Sequence, residues 1–269
     1  MTMNPLVQRY RKVKKAVDTL RGYLEFDPSN EIVRRTDFNT CPRPVLLLCG
    51  FLSTRRQFEV LEKRLRRDGY GVWSINLGIG GLRDAYNTRG IEECAALVRE
   101  KVERLYARYP RVGPLSIIGP SQGGVIGHYY VKRRGGDART CSLITLGTPH
   151  RGTPVAYLGC ALMGAVSRSV WQMRPGASFL KRLHIGAFPR NVRLVSIYSR
   201  ADQVGRYPGC LLEEDGESQG VNLELANVTH REFVYKKSVY DVIRRELSSG
   251  YGERLASPRL RALPQTTKG

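Results

Sequence analysis

Leu115-Ser116-Ile117-Ile118-Gly119-Pro120-Ser121-Gln122-Gly123-Gly124-Val125-Ile126-Gly127 is the stretch whose reading decides the fold. Its start suits a short apolar strand, Gly119 and Gly123 bracket a sharp turn, and Val125 and Ile126 open a helix. Gly119-Pro120-Ser121-Gln122-Gly123 fits the nucleophile-elbow pattern, in which a strand–turn–helix lifts a serine hydroxyl above a sheet. The serine of such a turn holds a strained backbone angle, so the residues two before and two after it must be small. Gly119 and Gly123 meet that demand, and Gly124 and Gly127 let the helix pack close to its strand. The pattern predicts a nucleophile at Ser121.

Outward from the elbow, strands alternate with helices. Before it, Arg43–Leu52 is a continuous apolar run ending around Gly50, as expected of a strand buried on both faces. A helix over 57–68, a strand over 70–77 and a glycine-containing loop over 78–87 follow. Asn87 or Thr88 then caps a helix running to about Tyr109. After the elbow helix, Ser142–Leu146 reads as another buried strand, followed by Gly147-Thr148-Pro149-His150-Arg151-Gly152. From 153 to about 190 the regularity lapses into an apolar, glycine- and proline-punctuated segment longer than an ordinary connection. Val192–Tyr198 resumes the sheet, Val221–Leu225 alternates as a last strand, and 231–248 carries a helical stripe. Such alternation predicts an α/β fold, a mostly parallel sheet with helices on both faces. The working residues of such a sheet gather beyond the carboxyl ends of its strands.

Ser121, Asp202 and His230 each fall there. A serine hydroxyl is a weak nucleophile at neutral pH; it needs a base within hydrogen-bond reach, and the base needs an orienting carboxylate. Of four histidines, His230 alone follows the last strand, which completes the order serine, acid, histidine. His128 lies on the elbow helix, His150 precedes the acid in the chain, and His184 lies in the irregular segment. Asp202 follows its strand directly, whereas Glu213, Glu214 and Asp215 sit in a loop that reads as solvated. Two backbone donors are needed for the oxyanion: the amide of Gln122, and one from the first strand's loop, with Phe51 chosen and Leu52 as fallback. Gly50 would give the chain freedom to turn that amide inward.

Composition bounds the rest. At 269 residues the chain makes one large domain or at most two small ones. Its 41% apolar and 25% charged content are ordinary, but 44 Lys and Arg against 24 Asp and Glu give a net charge of +20. Such a field favours nucleic acid or anionic membrane surfaces. The basic residues are scattered rather than massed, however, and read as a solvated surface with no nucleic-acid site. Six cysteines show no metal-site spacing, although Cys160 and Cys210 could pair. The first residues lack the apolar core of a signal peptide, and no stretch approaches the ~20 apolar residues of a membrane span. A cytoplasmic protein is expected, with leaderless export left open. Leu6, Tyr10, Val13, Val17, Leu20 and Leu24 recur at helical spacing among basic residues. Asp18 and Glu25 dilute that basic face and favour a helix laid across the domain over one on a membrane surface.

From about 43 to 247 the chain resembles the bacterial lipase and esterase branch of the α/β-hydrolases. The resemblance rests on Leu48-Cys49-Gly50-Phe51-Leu52, the elbow with Gly124, Thr145–Gly152, Tyr198-Ser199-Arg200-Ala201-Asp202 and Val228-Thr229-His230. It implies hydrolysis of hydrophobic carboxylic esters, lipid or other, through an acyl-serine intermediate, with no cofactor; no metal ligand is assigned. The same triad also serves acyl transfer and the hydrolysis of thioesters or polyesters. A non-catalytic protein binding anionic surfaces on this fold is the distant alternative. The family usually carries histidine at the positions of Cys49 and Pro120. Residues 153–190 occupy the place of its cap or lid, so Met163 and Trp171 are assigned with Leu52 to substrate binding, core packing being nearly as good an account of them. The chain thus divides into a basic extension over 1–40, a hydrolase domain over 41–248 and a flexible tail over 249–269. Contact with an anionic lipid surface is an expectation for the basic protein; its oligomeric state is not legible.

Overall fold

The computed structural model describes Phe38, residues 43–75, Leu77, 89–212 and 220–255, with side chains as far as 249. The stripe from Leu6 to Leu24, the loop over 78–87 with its caps Asn87 and Thr88, the acidic loop of Glu213, Glu214, Asp215 and Glu217, and the tail from 256 lie outside the described residues.

Six strands form one sheet: β1 (Pro44–Leu48), β2 (Gly71–Ile75), β3 (Leu115–Pro120), β4 (Thr140–Leu146), β5 (Arg193–Tyr198) and β6 (Val221–Glu224). Their order is β2-β1-β3-β4-β5-β6, and every neighbouring pair is parallel. The order reverses between β1 and β3. A crevice therefore opens beyond their carboxyl ends, where Cys49–Ser53 and Ser121 leave the sheet.

The central strands are apolar on both faces because both faces are covered. Leu46, Leu48, Ile117, Leu143 and Leu194 point into one core, which α2 (Ile91–Arg108) and α3 (Gln122–Arg133) complete. Val45, Leu47, Ile118, Ile144, Val195 and Ile197 point into the other, against α1 (Glu59–Arg67) and α7 (Lys237–Leu255). This is the period-two alternation of a strand, with hydrophobic residues at both phases. Helix α7 is fastened to the sheet by Arg193, whose guanidinium meets Glu246 at 2.8 Å, and to α1's end by Tyr240, whose hydroxyl donates to Asp68 at 2.8 Å. It runs to Leu255, past the 248 expected from its apolar stripe.

Between β4 and β5 the irregular segment resolves into α4 (Val155–Met163), α5 (Arg168–Gln172) and α6 (Ser178–His184). It is tied down from several sides. Gln172 caps α2, accepting the Ile91 N–H at 2.8 Å and donating to Glu92. The residue preceding α2 is Gly90, which has no side chain to do this. Thr153 donates its N–H to Met173 O and its hydroxyl to Val204 O. Among the described residues no helix is long and apolar enough to cross a membrane.

Candidate active site

Ser121 stands between β3 and α3 with φ 54° and ψ −129°, a region that side-chain-bearing residues avoid. Such a conformation costs about 1–3 kcal/mol and persists only where its surroundings enforce it. Its N–H donates to Leu146 O at 2.9 Å, while its carbonyl accepts from the Thr148 hydroxyl at 2.9 Å and from Gly124 N at 3.1 Å. The small residues expected around it are required by contact. A Cβ at Gly119 would sit 2.5 Å from the Gly123 carbonyl carbon, and one at Gly123 or Gly124 would overlap Leu48 O or the Thr148 hydroxyl.

Facing the elbow is the loop after β1. A Cβ on Gly50 would come within 3.3 Å of both Ser121 Cβ and Pro120 O, so Gly50 serves close approach. The left-handed residue of this loop is instead Leu52, at φ 50°, and not the glycine to which sequence assigned that freedom. Ser53 donates its hydroxyl to Gly50 O at 3.0 Å and accepts from Gln57 Nε2 at 2.9 Å. Because carbonyl and N–H point oppositely across a trans peptide, holding Gly50 O fixes the direction of the Phe51 N–H. Gln57 also reaches the buried Cys49 thiol, which burial pushes up to about 12; it stays protonated.

Asp202 is buried at the end of β5 and accepts three hydrogen bonds. Oδ1 takes the N–H groups of Val204 at 2.7 Å and Gly205 at 3.0 Å, and Oδ2 lies 2.8 Å from His230 Nδ1. Gly147, at φ 52°, leaves room for this carboxylate; a Cβ there would be 2.5 Å from Oδ2. The loops bearing acid and histidine are joined by Ser199, whose hydroxyl accepts from Ala201 N at 3.3 Å and Val228 N at 3.1 Å. Thr229 donates its N–H and hydroxyl to Glu232 at 2.7 and 2.8 Å, holding the start of the turn that carries His230. Those donors keep the Glu232 carboxyl below its usual range.

Ser121 and Gln122 open onto a pocket of about 740 Å³, counted with its mouth, which Phe51, Leu52, Met163, Val170 and Met173 help to line. Val204 lines it too, so one wall of the pocket is a hydrogen-bond donor to Asp202. Of the residues assigned to substrate binding, Leu52 and Met163 are on this wall. Trp171 is not among the lining residues: it is exposed, its indole N–H donates to Gly164 O at 2.9 Å, and Arg174 stacks on its ring at 4.7 Å. Aromaticity alone gave no sign of which face of its short helix it would occupy.

The other three histidines gather away from this pocket. His128 meets His150, His184 and Phe188 edge to face, with ring centroids 5.1–5.9 Å apart. No group of three or more His, Cys, Asp or Glu among the described residues is arranged to hold a metal ion. Cys160 and Cys210 are both free thiols.

No protein-family model and no curated protein sequence matches the chain. Solved structures do. The mature lipase BlEst2 of Bacillus licheniformis superposes with a TM-score of 0.62 at 15% identity, over 81% of this chain and 96% of that one. This is the α/β-hydrolase fold. Lipase B of Aspergillus fumigatus gives 0.63 at 16% identity over 86% of this chain, which spans 57% of that lipase. The esterase Pf2001 of Pyrococcus furiosus gives 0.58 at 18%, over 80% and 86%. The α/β-hydrolase fold therefore holds at identities too low to carry a residue's role from one protein to the next. Ser199, Ser53 and Gln57 were missed in sequence, where each is an ordinary polar residue; only their position beside a strand end gives a signal.

Proposed function

We propose that this protein is a serine hydrolase that cleaves carboxylic esters of hydrophobic acyl groups. The observation that carries the reading is a strained serine lining an apolar pocket, one of whose walls hydrogen-bonds the carboxylate of a histidine–aspartate pair. The lipases and esterases that share the fold raise its weight.

Asp202, held by two backbone N–H groups, accepts the proton-bearing Nδ1 of His230 and leaves Nε2 as the base. His230 takes the Ser121 proton as Oγ attacks the ester carbonyl. The amides of Phe51 and Gln122 receive the oxyanion, each such donor being worth about 3 kcal/mol. His230 returns the proton to the leaving alcohol, and water, activated by the same imidazole, releases the acid from Ser121. Leu52, Met163, Val170 and Met173 offer the acyl chain an apolar wall.

A panel of esters graded by acyl length, with thioesters and alternative acyl acceptors beside them, tests this. Ester turnover and fluorophosphonate labelling are expected in the native chain and absent in Ser121→Ala. Unchanged turnover in Ser121→Ala, or no labelling of the folded chain, overturns the reading.

A further inference from the structure

Thr153 opens the segment between β4 and β5, and its side chain is buried. Each of its hydrogen bonds ends on a different element. The N–H donates to Met173 O, just past α5, at 2.9 Å, and the hydroxyl accepts from Val155 N, at the start of α4, at 3.3 Å. The hydroxyl proton goes elsewhere: it is donated at 2.7 Å to Val204 O, in the loop that carries Asp202. A threonine at the root of the cap therefore spends its one side-chain donor on the loop of the acid.

The carbonyl it holds belongs to the same peptide as the Gly205 N–H. That peptide is trans, so the two groups point oppositely across one plane. The Gly205 N–H ends on Asp202 Oδ1 at 3.0 Å, and Oδ2 of the same carboxylate lies 2.8 Å from His230 Nδ1. Hydroxyl, peptide, carboxylate and imidazole thus stand in one relay of hydrogen bonds. Thr153, Val204 and Asp202 are all buried, and hydrogen bonds in such a relay polarise one another where water is excluded. Gly205 has no side chain with which to hold this peptide; a Cβ there would lie 2.0 Å from Gly147 O. The Thr153 hydroxyl takes that part.

We infer that Thr153 is a positioning residue for the acid. By holding Val204 O it aims the Gly205 N–H, keeps Oδ1 of Asp202 occupied and presents Oδ2 to His230. The inference rests on the roles proposed above for Asp202 and His230, and its test is read in two ways, only one of which needs turnover. Valine has the shape of threonine without the hydroxyl; serine keeps the hydroxyl without the methyl. In the full chain, Thr153→Val should lower kcat about tenfold with KM for a short acyl ester unchanged, because the loss falls on the base and not on the pocket wall. Thr153→Ser should recover most of it. Proton NMR follows the downfield signal of the Nδ1–H bridged to Asp202, assigned by its loss in His230→Gln. That signal should shift or broaden in Thr153→Val and stay near its native position in Thr153→Ser. Thr153→Ala, which also lacks the hydroxyl, is read in the same way if Thr153→Val does not fold. An unmoved signal with kcat within twofold of native in the variants lacking the hydroxyl overturns the inference. So does equal damage in Thr153→Ser, which would mean that the methyl group matters and the hydroxyl does not. Absence of ester turnover in the native chain would instead overturn the hydrolase reading, with the NMR signal still deciding whether Thr153 orients Asp202.

Discussion

His230 Nδ1 lies 2.8 Å from Asp202 Oδ2, while Oδ1 of the same carboxylate is occupied by the N–H groups of Val204 and Gly205. The two oxygens thus have different work: one fixes the loop, the other fixes a tautomer. In Asp202→Asn the amide oxygen would stay with the two backbone donors, and its NH2 would turn toward His230. That imidazole would have to accept at Nδ1 and carry its proton on Nε2, the wrong atom for a base. A fall in kcat of about 10³–10⁴ is expected with little change in thermal midpoint. Turnover within tenfold of the native chain would show that Asp202 does not orient the base.

Gly147 controls the same carboxylate from the other side. In Gly147→Ala the new Cβ meets Asp202 Oδ2 at 2.5 Å and Phe233 Cε2 at 2.8 Å, from a backbone at φ 52°. Neither neighbour can retreat: the carboxylate is hydrogen-bonded and Phe233 is buried. The variant should lose a few kcal/mol of stability and most ester turnover together, read by thermal melts and kinetics on one preparation.

Ser53 acts on the opposite wall of the site. Its hydroxyl fixes Gly50 O and, through the peptide plane, the Phe51 N–H. Ser53→Ala should lower kcat about tenfold with KM unchanged, because a loosened donor costs the transition state and not the bound ester. Ser53→Thr, which keeps the hydroxyl, should recover most of that loss. Equal damage in both variants would mean that Ser53 only packs.

How far these relationships could be read in the sequence depends on what makes them. All six strands and the glycine-framed elbow were legible, because burial on both faces writes apolar runs and a turn with no room for side chains writes glycines. That Asp202 and His230 would meet was legible from chain order and strand ends. The supports were not. Ser199 bridges residues 201 and 228, Gln172 caps a helix 81 residues earlier, and Leu52 takes the left-handed conformation beside a glycine that does not. Each depends on contacts distant in sequence, which periodicity does not record. Trp171 shows the same limit: its short helix gave no basis for choosing between the pocket wall and the outer surface.

The buried histidines set a pH dependence separate from catalysis. Thr145 donates its hydroxyl to Val195 O, so it accepts from His150 Nε2 at 3.0 Å, and His150 Nδ1 is left with no partner. His128 has no partner at either nitrogen. Burial, with neighbouring imidazoles and the charges of Lys132, Arg133 and Arg151, drives His128 well below its usual value and His150 to about 3. His150 is therefore neutral in the folded chain at pH 5 and burial holds His128 toward its neutral form, whereas the unfolded chain takes up protons below about 6.5. The unfolded state therefore binds more protons in that window, and stability falls as pH drops from about 6.5 toward the folded values. For His150 the slope approaches about 1.4 kcal/mol per pH unit, and His128 adds to it in the same direction. His128→Leu removes an imidazole with two unpaired buried nitrogens and keeps apolar contact with Phe188. Denaturant titrations at pH 5 and pH 7.5 should show the variant more stable than the native chain at pH 5, with a smaller difference between the two pH values. An unchanged difference would mean that His128 is not among the groups whose protonation unfolds the chain.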